Sequence, residues 1–232
     1  MRPNLRRLLA ATLIAIGLAS AASGQEDANV YVVTYLEAVP TASAQVEELL
    51  KTYVSSARRT GGNLEFTALQ RIGRRNHFAV LETWADAAAL ERYSRSADAE
   101  RFRTSSMPLL YSPPDRRVHT GLVVEPQRDA GPDAVYVLTH IDVFPPAVTQ
   151  VVEYLRTMAQ ASRAEAANAR FDALVTDRKN HMTVVEVWQS ADAQEAHVGR
   201  THNIDFRTNL SAVQGALYDE RLYRAIASDG GR

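Results

Sequence analysis

Apolar and polar positions along this chain change rhythm several times, and the changes recur. From Val30 to Ala38 large residues fall on both sides of a two-residue alternation. Val30, Val32, Thr34 and Leu36 lie on one side and Tyr31, Val33, Tyr35 and Glu37 on the other, which predicts a strand with two unlike faces. Pro40 stops the strand, and Thr41 or Ser43 can cap a helix after it. Val46, Leu49, Leu50, Tyr53 and Val54 then fall at helical spacing, so a helix is expected from Ala42 to about Arg59. Thr60-Gly61-Gly62-Asn63 ends it, glycine taking the left-handed turn that other residues resist. Strands are expected at Leu64 to Arg71 and His77 to Trp84, joined through a hairpin tip at Gly73-Arg74-Arg75-Asn76. Asp86 to Leu110 reads as helix broken near Ser94 to Ala97, and Arg117 to Val124 as a fourth strand.

The same pattern then returns. With Val30 laid on Val135, the chain matches itself without a gap as far as Leu69 on Leu174: Pro40 meets Pro145, Gln45 meets Gln150, Asn63 meets Asn168 and Phe66 meets Phe171. One deletion at the hairpin tip shifts the register, and Asn76-His77 resumes on Asn180-His181. The second unit therefore has expected strands at Val135 to Val143, Arg170 to Thr176, His181 to Gln189 and Tyr218 to Ile226. Its helices are expected at Ala147 to Ala167 and Ala191 to about Val213.

Each unit runs β-α-β-β-α-β, the ferredoxin-like order that makes an antiparallel sheet with both helices on one face. The bare sheet face still carries large apolar groups and needs cover. Packing the two sheets against each other meets that need, with Tyr31, Val33 and Tyr35 opposite Tyr136, Leu138 and His140. The expected fold is α+β: two ferredoxin-like repeats, 29–125 and 135–226, packed sheet to sheet as an intramolecular α/β barrel and joined by a linker over 126–134.

Composition narrows the rest. The chain has 232 residues, a formal charge of −1 and no cysteine, which removes thiolate chemistry and gives no basic excess for nucleic acid. Arg2, Arg6 and Arg7, the apolar run Leu8 to Leu18 and the small residues Ala19 to Gly24 have the layout of a secretory signal peptide over 1–24. The expected mature protein is exported, periplasmic or secreted, with no stable membrane insertion once the leader is cleaved.

Reactive side chains gather in the second copy. Asn180 to Thr208 holds Glu186-Val187-Trp188, a cap signal at Ser190, then His197, a break at Gly199, His202, Phe206 and Arg207. The first copy keeps Glu82, Trp84, Phe102 and Arg103 but has Tyr93 and Asp98 where the histidines stand. His197 and His202 could reach one pocket between helix and sheet. A neutral imidazole there can take a phenolic proton near neutral pH, and the resulting anion can reduce oxygen without flavin or metal. The plain alternative makes His197 a packed helix residue and His202 a cap. Trp188 can wall an aromatic substrate or simply fill the core. Arg207 can orient an anion or form a surface ion pair with Asp205. His140 reads as a satisfied inter-sheet histidine, and His77 and His181 as exposed hairpin residues. A metal held by His197, His202 and Asp205 or Asp192 has no compact motif behind it, so no metal is expected.

A β-α-β-β-α-β unit whose third strand ends Glu-x-Trp, followed by two histidines and a phenylalanine, resembles the dimeric α/β-barrel superfamily, and within it the antibiotic biosynthesis monooxygenase family. That resemblance spans about Val30 to Ile226. It implies a cofactor-independent monooxygenase acting on a small aromatic or quinol-type molecule with molecular oxygen, in a barrel that ordinary members build from two chains. On it, His197 and His202 are candidate catalytic residues, and Trp188, Thr139, Phe206 and Arg207 candidate substrate contacts. The haem-degrading branch fits less well, because its characteristic asparagine, tryptophan and histidine places hold Thr139, His197 and Arg207. A non-catalytic ligand-binding or structural barrel is the alternative function, and further pairing into a homodimer is left open.

Overall fold

The computed structural model describes residues 28–227; the expected leader, 1–24, lies outside them. Eight strands and six helices alternate in two equivalent sets. The first comprises β1 (Val30–Glu37), α1 (Ser43–Ala57), β2 (Asn63–Arg71), β3 (His77–Trp84), α2 (Ala87–Ser94), α3 (Ala97–Ser106) and β4 (Asp115–Val123). The second comprises β5 (Val135–Asp142), α4 (Val148–Arg163), β6 (Asn168–Val175), β7 (His181–Trp188), α5 (Ala191–Val198), α6 (Thr201–Ser211) and β8 (Asp219–Ala227). The helix breaks fall where the sequence places them. Ser96 caps α3 by accepting from the Ala99 amide, and Ser190 caps α5 by accepting from Ala193. Gly62, at φ +89°, closes the turn after α1, where a Cβ would lie 2.6 Å from that of Ala89.

The strands form one closed ring in the order β1-β3-β2-β8-β5-β7-β6-β4. All eight neighbouring pairs are antiparallel, β4 returning to β1. The expected face-to-face packing is therefore observed, and the sheets are also sewn at both edges. β2 of the first repeat pairs with β8 of the second, and β6 of the second pairs with β4 of the first. No edge strand is left within the ring, which removes the unpaired backbone that invites aggregation.

Because antiparallel neighbours alternate around an even ring, β1 and β5 point the same way, and the lumen has two distinct ends. Its middle is apolar: Tyr31, Val33, Leu69, Leu81, Tyr136, Leu138, Leu174, Val185, Val187 and Tyr223 are buried in one cluster. Where β2 and β6 begin, Glu65, Arg170 and Asp172 close the lumen with ion pairs of 2.9 and 2.7 Å. Where β5 ends and β4 and β8 begin, Tyr35 lies between the guanidinium groups of Arg117 and Arg221, each 5.1 Å from its ring centre. The opposite sheet faces carry the helices over two further cores, centred on Val46, Leu50 and Phe66 in the first repeat and on Val151, Leu155 and Phe171 in the second.

Candidate functional site

The site lies outside the lumen, between the second sheet and the α5–α6 pair. Glu186 and Trp188 alternate along β7, so both face the helices. The indole Nε1 of Trp188 donates to Glu186 Oε2 at 2.8 Å. His197, on the last turn of α5, stacks on Trp188 with ring centres 4.3 Å apart and only 1% of its surface exposed. The Gly199 break starts a new helix, which brings His202 to 5.4 Å from His197. The two histidines converge, as expected, but His202 does not cap: Arg200 is the N-cap of α6 and makes no side-chain cap bond.

They converge on Glu165, a residue the sequence reading did not single out. Glu165 Oε1 lies 2.6 Å from His197 Nδ1 and 3.0 Å from His202 Nε2, and Arg200 Nε stands 3.5 Å from Oε2. Asn203 Nδ2 meets His197 Nε2 at 2.9 Å. Taken together these bonds select one tautomer: Nδ1–H donates to Glu165, while Nε2 keeps its lone pair and turns inward, 3.7 Å from Glu186 Oε2. Burial pushes the His197 pKa down against the pull of Glu165, so the ring stays neutral near pH 7. Burial, set against the indole bond and reinforced by Glu220 and Glu165, raises Glu186 to about 8, so this carboxyl is protonated at neutral pH.

The remaining candidates surround this pair unevenly. Thr139 is fully buried on the helix-facing side of β5, opposite Glu220 of β8. Its Oγ1 lies beside the Tyr218 phenol, yet no hydrogen bond of good geometry reaches it. Phe206 packs into the helix–sheet core with Phe171 and Leu210 rather than against Trp188. Arg207 sits 3.7 Å over the Tyr218 ring and 3.9 Å from Glu220, so its ionic partner is Glu220 and not Asp205. Its side chain is 44% exposed at the rim. Trp188 is entirely buried, as its core reading expects, and the face it offers is taken by the His197 ring.

Glu165, His197 and His202 offer three donor atoms within 4.8 Å of one another, so the carboxylate available to a cation is Glu165 in place of Asp205 or Asp192. Both histidine nitrogens are already hydrogen-bonded to the Glu165 oxygen. The first repeat shows the same frame with other contents. Trp84 donates to Glu82 at 2.9 Å, but Tyr93 stands on Trp84 in place of His197, 4.9 Å between centres. Tyr53 and Phe102 stack at 4.1 Å beside it, filling the space with aromatic rings. Arg116 occupies the place of Glu220 and opposes the burial that raises Glu82.

The profile of the antibiotic biosynthesis monooxygenase family matches residues 29–105 and again 134–209. The chain belongs to that family, as a tandem of two copies. Among relatives, "Putative monooxygenase YcnE" of Bacillus subtilis (strain 168) is 26% identical over 81 residues, which is 35% of this chain and 85% of that protein, about one repeat. Among solved structures, a "putative monooxygenase" from Fusobacterium nucleatum superposes with a TM-score of 0.79 over 88% of this chain and 96% of its own, at 14% identity. An "anthrone oxidase-like protein" does so with a TM-score of 0.70 over 88% and 93%, also at 14% identity. At such identities the likeness is one of fold, and it covers the whole barrel. Within this antibiotic biosynthesis monooxygenase tandem, Glu165, Asn203 and Glu220 were missed by the sequence reading. Their signal lay in the comparison of copies, where they stand against Thr60, Ala99 and Arg116.

Proposed function

We propose that the second repeat is a cofactor-independent monooxygenase site for a small phenolic or quinol-type substrate. The observation that carries this reading is the Glu165–His197 pair stacked on Trp188. Glu165 holds Nδ1–H, and the neutral Nε2 is left to accept a proton from a substrate hydroxyl that takes the place of the Asn203 amide. The indole supplies an aromatic face. The phenolate then reduces molecular oxygen. For a phenol with a free ring C–H, one oxygen atom enters the ring to give a quinone and the other leaves as water. Thr139 Oγ1, a buried polar atom with no well-formed hydrogen bond, is suited to orient the substrate, and protonated Glu186 to donate towards its oxygen. Arg207 at the rim favours an anionic group. Entry is from the α5–α6 joint, where His202 is 24% and Arg200 60% exposed.

The test is oxygen uptake by the purified protein with reduced naphthoquinols. Unchanged rates in both His197→Ala and His202→Ala would exclude the reading. The closed state of the site, with His197 and Trp188 shut away from solvent, favours a second reading: a protein that holds an aromatic ligand without turnover. Ligand retention with no oxygen consumed would select it. The leader pattern at Arg2 to Gly24 supports an exported, periplasmic or secreted location, which fractionation of expressing cells tests.

A further inference from the structure

A second cluster of donor atoms lies far from the helix-side site, at the lumen end formed by the finish of β5 and the start of β7. Asp142 and His181 face each other across the β5–β7 ladder, and His140, two residues earlier on β5, projects from the same face. We propose that His140, Asp142 and His181 form a binding site for a divalent cation of the zinc type.

The geometry is that of a shared ligand sphere. His140 Nε2 lies 3.0 Å and His181 Nδ1 2.7 Å from the same oxygen, Asp142 Oδ1. All three donors fall within 4.8 Å of one another. Ligands about 2.0–2.1 Å from one cation stand roughly 3 Å apart, close to the two nitrogen–oxygen separations here. Two imidazoles and one carboxylate suit zinc and its neighbours in the first row, while hard cations such as magnesium prefer all-oxygen shells.

A second observation separates this cluster from the Glu165 triad. There every donor takes part in a well-formed hydrogen bond. Here Asp142 Oδ1, although touched by two ring nitrogens, has no hydrogen bond of acceptable direction, and neither has His140 Nδ1. Buried polar atoms left unpaired in this way cost free energy unless something else engages them. A cation drawing on Oδ1 and the two imidazoles meets that need for the carboxylate.

Two guanidinium groups stand at this end of the lumen, each held by its own acid. Arg117 lies near His140, but its guanidinium is paired with Asp115 at 2.6 Å and rests on Tyr35. Arg221 is likewise paired with Asp219. Deeper in the lumen, His119 is held neutral, near 4, by burial and Arg117, and bonds to Thr183 at 3.0 Å. The first repeat lacks the set. Its matching positions are Tyr35, Glu37 and His77; the tyrosine is taken up between two arginines, and Glu37 and His77 stand 3.6 Å apart. The site is a property of the second copy, with three protein ligands and at least one position open to water.

The test is calorimetric titration of the chelator-stripped full chain with zinc chloride, alongside Asp142→Asn, His181→Ala and His202→Ala variants. One tight equivalent is expected, weakened at least about 100-fold in Asp142→Asn and His181→Ala and kept in His202→Ala. Both first variants alter side chains 25% and 28% exposed, and far-ultraviolet circular dichroism checks that they fold. Saturating zinc should also raise the thermal midpoint of the parent and of His202→Ala but not of His181→Ala. No tight equivalent in the parent, or one that survives in Asp142→Asn and His181→Ala, or one lost in His202→Ala alone, overturns the proposal.

Discussion

Glu65 and Arg170 hold the same position in the two repeats, and they meet: Arg170 Nη1 donates to both carboxylate oxygens of Glu65, at 3.0 and 2.9 Å, across the lumen. Two identical repeats facing each other would bring like against like at this place. The tandem instead sets acid against base, and Asp172 completes the pairing from the next position on the same face of β6 at 2.7 Å.

Removing the base takes away the cation shared by the buried Asp172 and the partly buried Glu65, leaving them weaker partners such as Arg163 at 3.5 Å and the Thr83 hydroxyl. Arg170→Met is expected to cost roughly 3–5 kcal/mol, the usual penalty for breaking a buried pair. Urea denaturation of the variant beside the parent measures it, and replacing Glu65 and Asp172 by apolar residues in the same background should return much of the loss.

Glu186 sets a pH dependence of stability. Its pKa rises from 4.5 to about 8 on folding, chiefly by burial. The folded state thus keeps a proton that the unfolded chain releases, so the contribution is fully favourable below the ordinary carboxylate range and fades as pH climbs towards 8. Glu186→Gln should flatten this limb and make the variant relatively more stable at pH 8 than at pH 5. A shift of this size bounds the effect at roughly 4–5 kcal/mol. Denaturant midpoints across pH check the sign, and a protonated-carboxyl infrared band at pH 7, absent in the variant, checks the cause.

Much of this architecture was legible along the chain, because its causes are local. Alternation placed the strands, Ser190 marked a helix start, and the internal match fixed the number of units. The expected sheet-to-sheet lumen, with Tyr31 and Val33 meeting Tyr136 and Leu138, follows from strands apolar on both faces. The seams β2·β8 and β4·β6 were not legible, since pairing between distant strands leaves no local mark. Glu165 escaped for a related reason. It lies in the turn after α4, where a carboxylate is ordinary, and only tertiary packing brings it to His197 and His202. His140 was expected to find a partner between the sheets, yet its Nδ1 is buried without one.

If His197 is the base, His197→Ala should lower kcat/KM for quinol oxidation by about 10²–10⁴. Its pKa is depressed below 6.5, so the acid limb of the parent's pH–rate profile should fall under that value. Glu165 favours the charged ring. Glu165→Gln should therefore move the limb to still lower pH while reducing the rate, a shift that a purely structural role for Glu165 would not produce.

The first repeat should respond differently. Tyr93 is 2% exposed and sits among Trp84, Tyr53 and Phe66. Tyr93→Ala is expected to cost about 3 kcal/mol by opening a cavity, without changing oxygen uptake. Thermal unfolding and oxygen-electrode traces on the same preparation separate the two effects.

The reciprocal seams have one more result. Whatever else its ring-filled interior does, the N-terminal half lends β2 and β4 as flanks to its neighbour, and without them β8 and β6 would present raw backbone to water. It endures as scaffolding that cannot be trimmed away, since a shortened gene would yield an open, adhesive half-shell where a finished vessel now stands.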